Sequence, residues 1–153
     1  MEDINRILVV SRMTAQCGKA VHYGVSLSKK YGASLYVIHV VHNPFGLEGW
    51  NLPPLEEDYS AQLKRCKENI DEAINAERAQ GVGICEIIRE GEPTEVILQV
   101  VKEENIDLII MLAHEEGRFE HFLFGHSNED LIRRLPCSIM LVKKEPKVFG
   151  AVY

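Results

Sequence analysis

Apolar residues fall along this chain in two alternating periods. Short runs of branched residues read as buried strands: "INRILVVS" (Ile4–Ser11), "ASLYVIHVV" (Ala33–Val41), "ICEIIRE" (Ile84–Glu90), "DLIIML" (Asp107–Leu112) and "CSIMLVKK" (Cys137–Lys144). Between them the spacing turns helical. In "TAQCGKAVHYGVSLSKKYG", Ala20, Gly24, Leu27 and Tyr31 recur at helical intervals, Thr14 is placed to cap the start, and Gly32 to stop the end. In "LEEDYSAQLKRCKENIDEAINAERAQG", Tyr59, Leu63, Cys66, Ile70 and Ile74 form one apolar stripe among charges. "GEPTEVILQVVKEENI" turns at Gly91 and starts a helix near Pro93, where proline is tolerated. A last helix, after Gly125, begins near Ser127 or Asn128.

Strands alternating with helices, and apolar on both faces, predict an α/β fold: an open parallel sheet with helices on both sides. There is no internal repeat and no linker in the sequence, so residues 1–153 read as a single domain, with a core over 4–144 and a C-terminal extension over 145–153. In such sheets ligands bind beyond the carboxyl ends of the strands, where the strand order reverses. The ends that matter are Ser11–Thr14, Val40–Pro44 and Leu112–Arg118.

Composition narrows the function classes. The apolar fraction of 46% and charged fraction of 26% are ordinary for a soluble globular chain. A formal net charge of -6 argues against a nucleic-acid backbone or an anionic membrane as the main partner, because both need a basic face. The opening "MEDINRILVV" lacks a basic region followed by a long apolar core, so no signal peptide is expected. No apolar run approaches the ~20 residues that span a bilayer. Cys17, Cys66, Cys85 and Cys137 are widely spaced and form no CxxC pair; the expectation is four core thiols in a reducing cytoplasm.

Three ordered stretches carry a family resemblance: "NRILVV" followed by "KAVHYGVSLSKKYGASLYVIHVV", then "REGEPTEVILQVVKEENIDLIIM", then "GHSNEDLIRRLPCSIMLVKK". Together they resemble the universal stress protein family from about Ile4 to Lys144. The resemblance implies a Rossmann-like, adenine-nucleotide-hydrolase-like fold: five parallel strands in the order 3-2-1-4-5. It also implies a homodimer in which the fifth strands, the Cys137–Lys144 region, meet. The implied role is stress adaptation in the cytoplasm, with no defined reaction.

Many members of that family bind ATP or a related nucleotide. Their loop after strand four reads Gly, two residues, Gly, nine residues, Gly, then Ser or Thr, and an aspartate after strand one holds the adenine. Here the third glycine falls on Gly125, and the histidine common in the loop falls on His114. The first glycine falls on Leu112 and the second on Glu115. The hydroxyl position falls on His126, with Ser127 one place late, and the aspartate falls on Arg12.

These departures have physical consequences. Adenine's amino group needs an acceptor, and arginine has none. Leu112 adds a side chain where glycine lets backbone N–H groups approach phosphate. Glu115 adds a negative charge there; two like unit charges ~4 Å apart cost about 4 kcal/mol at an effective dielectric near 20, roughly a thousandfold in affinity. In the other direction, Arg12, His114, Arg118, His121 and His126 are a set of groups for a positive pocket, and the helix start after Gly125 offers N–H groups to an anion unless Ser127 and Asp130 cap it internally. The candidate pocket is therefore Ser11, Arg12, Val40, Met111, Leu112, Ala113, His114, Glu115, Arg118, Gly125, His126 and Ser127.

Other signals have plainer readings. "HEEGRFEH" is not HExxH, so His114, His121 and His126 read as solvated loop histidines and no metal is assigned. Ser11 with His39 or His114 lacks a third group and an oxyanion hole, so no catalytic residue is assigned. Phe119, Phe122, Leu123 and Phe124 serve either the core or a partner surface; the loop His42–Pro54, with Phe45, Leu47 and Trp50, is either a lid over the crevice or a cover for a helix face or partner; the tail, with Val148, Phe149, Val152 and Tyr153, docks on the body or across a dimer. The expectation is a dimeric binding or signalling module that does not hold ATP in the family's usual manner. The alternative is a nucleotide- or anion-binding switch, at most a slow ATPase, that takes ATP, AMP or another anion on a rebuilt loop.

Overall fold

The computed structural model describes residues 3–11, 17–41, 64, 67, 68, 70–113 and 128–143. Five parallel strands run in the spatial order β3-β2-β1-β4-β5. They are β1 (Arg6–Ser11), β2 (Ser34–Val41), β3 (Ile84–Glu90), β4 (Leu108–Ala113) and β5 (Ser138–Lys143). The helices are α1 (Cys17–Tyr31), α2 (helical at 64, 67, 68 and 70–79), α3 (Pro93–Glu103) and α4 (Asn128–Arg134). The strand order expected from the resemblance is the one observed.

Alternation along each strand divides the core in two. Ile7, Val9, Leu35, Val37, Ile84, Ile110 and Leu112 pack with Ala20, Val21 and Val25 of α1 and with Ile70 and Ile74 of α2. Leu8, Val10, Ile38, Val40, Ile109 and Met111 pack with Ile97, Val100 and Val101 of α3 and with Leu131 of α4. Both layers remove branched side chains from water, the main favourable term in folding. The apolar stripe of the second helix is confirmed at Ile70 and Ile74; Tyr59, Leu63 and Cys66 lie outside the described residues.

Local chemistry sets the boundaries. Asp107 accepts hydrogen bonds from the backbone N–H groups of Asn5 and Arg6, both at 2.8 Å, and Asn5 passes its carbonyl to Ser34. The first strand therefore starts at Arg6 rather than Ile4, and the fourth at Leu108 rather than Asp107, whose side chain is a clasp between them. Ala33 donates its N–H to Ser28 at the end of α1, so the second strand starts at Ser34 and not Ala33. Gly32 ends α1 at φ 67°, a left-handed position favouring glycine. Tyr31 departs from the expected stripe: it is the last residue of α1 and 52% exposed, while the buried face runs through Ala20, Val21, Gly24, Val25 and Ser28. Glu92 caps α3 by accepting from the N–H groups of Thr94 and Glu95, with Pro93 next in line. The Thr14 cap and the Ser127 cap lie outside the described residues.

Two sequence expectations about cysteine separate here. Cys137 is half-buried, but Cys85 is exposed on edge strand β3, not a core thiol. Cys17 and Cys66 lie outside the residues whose side chains are described. No described helix is long and apolar enough to cross a membrane.

Candidate functional site

The sheet splits where the strand order reverses. β1 stays paired with β2 to its own last residue, Ser11 with His39, and β4 and β5 stay paired to theirs, Ala113 with Lys143. The ladder between β1 and β4 stops at Val9 with Ile110. Past that pair the two strands run on without pairing to each other, which opens the crevice the topology calls for.

Five of the expected pocket residues stand at this end of the sheet: Ser11 on β1, Val40 on β2, and Met111, Leu112 and Ala113 on β4. Their side chains are not all in one place. Val40 and Met111 are buried in the layer under α3, while Leu112 is in the layer under α1. Val40 and Met111 thus face the opposite side of the sheet from Leu112. Leu112 is 5% exposed and packed with Ile110 and Val142, so the position where the family's pattern has its first glycine is filled by a core side chain. Arg12, His114, Glu115, Arg118, Gly125, His126 and Ser127 lie outside the described residues. So do His121, the phenylalanines of that loop, the segment His42–Pro54 and the C-terminal extension.

Sequence reasoning missed Lys19. It lies in the first turns of α1, and its Nζ donates to the carbonyl of Lys143 at 3.0 Å, tying that helix to the end of β5 beside the crevice. Nothing in the local pattern marked it, since lysine on a helix is ordinarily a solvated residue.

A second polar group sits one strand away, beneath α2. His39 is fully buried, at 0% exposure, in an otherwise apolar strand. Its Nε2 lies 3.1 Å from Glu86 Oε2. A carboxylate only accepts, so Nε2 carries the proton, and Nδ1 is a bare lone pair that is buried and unpartnered. Burial lowers the histidine's pKa, and the hydrogen bond to Glu86 opposes that shift without cancelling it. Around Glu86 stand Arg78, with Nη1 3.0 Å from Oε1, and Lys67, with Nζ 3.7 Å from Oε2. Lys67 also pairs with Asp71 one helical turn on. One ligand atom from each of His39, Asp71 and Glu86 lies within 4.8 Å of the other two. The sequence held one hint of this, the histidine and the glutamate inside apolar strands, but the helix that completes the group is far from both in sequence.

The chain matches the family model described as "Universal stress protein family" over residues 3–143. It is 31% identical over 136 residues to Universal stress protein MJ0531 of Methanocaldococcus jannaschii, covering 84% of this chain and 76% of that one. Among solved structures it resembles the universal stress protein UspA from Lactobacillus plantarum, with a TM-score of 0.62 at 21% identity over 93% of this chain and 99% of that chain. It also resembles the universal stress protein from Archaeoglobus fulgidus in complex with dAMP, with a TM-score of 0.58 at 17% identity over 92% of this chain and 98% of that chain. Sheet order, crevice and sequence agree, and the chain belongs to the universal stress protein family.

Proposed function

We propose that this protein is a dimeric binding or signalling module of cytoplasmic stress adaptation that does not hold ATP in the family's usual manner. The observation that carries the reading is the buried Leu112 at the mouth of the crevice, packed where the nucleotide-binding pattern has glycine. A side chain at that position keeps backbone N–H groups from closing on phosphate. The sequence adds Glu115, a like charge for a triphosphate, and Arg12, which offers adenine no acceptor. The dimer reading is supported by β5, which stands at the sheet edge with Leu141 46% exposed. An edge strand of this kind is a template for pairing with another strand.

A second reading has its own support. The neighbour from Archaeoglobus fulgidus is described with dAMP, and two further neighbours of the same fold are described with cAMP and AMP. These are monophosphates, which place less charge near Glu115 than a triphosphate does. On this reading the crevice takes an adenine mononucleotide or another small anion, with Arg12 and Arg118 on the phosphate.

Thermal unfolding with and without nucleotide separates the two, because a ligand that binds only the folded chain raises its midpoint. Millimolar Mg-ATP leaves the midpoint unchanged on the first reading and raises it less than AMP does on the second. AMP also leaves it unchanged on the first; on the second it raises the midpoint, and Arg12→Ala and Arg118→Ala each reduce the rise. A midpoint raised by Mg-ATP more than by AMP overturns both.

A further inference from the structure

We infer that His39, Glu86 and Asp71 form a binding site for one divalent transition ion of the zinc class, on the α2 side of the sheet, one strand over from the crevice. The donor set fits that chemistry. Imidazole with two carboxylates suits zinc and its neighbours, whereas magnesium and calcium prefer oxygen throughout. The spacing fits as well. Two ligands on a tetrahedral zinc ion stand roughly 3.3 Å apart for bonds of ~2.0–2.1 Å. His39 Nε2 and Glu86 Oε2 are already 3.1 Å apart. The wider spacing to Asp71, within 4.8 Å, closes by a rotamer change, since its side chain is 39% exposed. Two of the three donors come from neighbouring strands of one sheet, β2 and β3, which fixes them relative to each other.

The observation that points beyond a structural ion pair is the histidine. It is fully buried, burial favours its neutral, metal-binding form, and one ring nitrogen has no hydrogen-bond partner. As a ligand it bonds the ion through Nε2, the nitrogen that already faces Glu86.

Lys67 brings a cation of its own to these carboxylates. Its ammonium lies between Asp71 and Glu86, at 3.7 Å from Glu86 Oε2 and in direct contact with Asp71. Its side chain is 28% exposed and its stem is flexible, so it can leave into solvent when an ion arrives. Arg78, paired with the other oxygen of Glu86, orients that carboxylate.

The test uses full-length protein without a histidine tag, stripped with a chelator and titrated calorimetrically with zinc chloride. One zinc per chain is expected. Glu86→Gln and Asp71→Asn each weaken binding at least ~10-fold, while circular dichroism shows the fold retained; Asp71, partly exposed, is the variant that keeps this reading independent of folding. Lys67→Met tightens binding, by about tenfold, because the competing ammonium is gone. A purely structural ion pair predicts the reverse pattern for Lys67→Met: lower stability and no gain in zinc affinity. The inference is overturned by absence of stoichiometric zinc, by zinc binding that survives both Glu86→Gln and Asp71→Asn, or by a Lys67→Met variant with no gain. These outcomes do not depend on whether the crevice takes a nucleotide.

Discussion

Gly24 sets how closely α1 can sit on the sheet, and Gly24→Ala measures it. A Cβ built there meets Val9 Cγ2 at 2.6 Å, Leu35 Cδ1 at 3.0 Å and Ile110 Cδ1 at 3.8 Å. Two effects of opposite sign compete. Alanine is the better helix former by about 1 kcal/mol. Against that, carbon atoms in contact prefer ~3.5–4.0 Å, and forcing an extra methyl into a packed core costs about 1–3 kcal/mol. The Leu35 methyl ends a flexible side chain and can turn away. The Val9 methyl is on a branched side chain with a stiff χ1 on a central strand, so α1 itself must lift. The clash therefore wins, and the net loss is about 1–2 kcal/mol. For a chain of this size that lowers the thermal midpoint by roughly 3–6 °C. The internal control is Gly18→Ala in the same helix, where a Cβ meets nothing within 4 Å; it raises stability by up to ~1 kcal/mol. Urea and thermal unfolding followed by circular dichroism read both variants. If Gly24→Ala matches or exceeds the native chain, or if the two variants shift the same way, α1 is not seated on β1 as described.

Three further outcomes follow from other groups. His39 is held neutral in the fold, with its pKa below the ordinary 6.5, by burial among Glu86 of β3 and Lys67 and Asp71 of α2. The unfolded chain binds that proton more readily, so in chelator the contribution is intact above pH 6.5 and stability falls as pH drops from there toward the folded pKa; His39→Gln flattens that slope, and an unchanged slope refutes the assignment. Burial pushes the Cys137 thiol up, with the charge of Asp107 adding to it, while Cys85 is exposed, so iodoacetamide at mildly alkaline pH labels Cys85 well before Cys137 in peptide mapping. Glu92→Ala removes the acceptor for two N–H groups at the start of α3 and costs about 1 kcal/mol in urea unfolding, with Glu92→Gln costing less.

Much of this fold was legible because the chemistry is local. Five apolar runs separated by helical periods gave five strands, and Gly32 and Pro93 marked a helix end and a helix start where the structure has them. Most of the misses depend on residues distant in sequence. Asp107 has the position of a strand's first residue, but its carboxylate is taken by Asn5 and Arg6 across the sheet. Tyr31 has the spacing of the buried stripe of α1, but as the helix's last residue it faces water. Cys85 looked like a core thiol until β3 proved to be an edge strand. The crevice was legible in outline, since topology alone locates it. That Met111 points away from Leu112 follows from strand alternation, and could have been read before the fold was known, whereas the side Val40 takes needs the register across β1. The group around His39 could not, because it needs the register of α2 against β2 and β3.

The account turns most on whether the crevice has given up ATP. A calorimetric titration of tag-free protein with Mg-ATP, at high protein concentration and moderate salt, tests that directly. The buried Leu112, with Glu115 and Arg12 beside it in the pattern, predicts no saturable heat up to millimolar ligand. A saturating isotherm at micromolar strength would contradict it, and would mean that Arg12 and the loop histidines had taken over the work of the missing glycines.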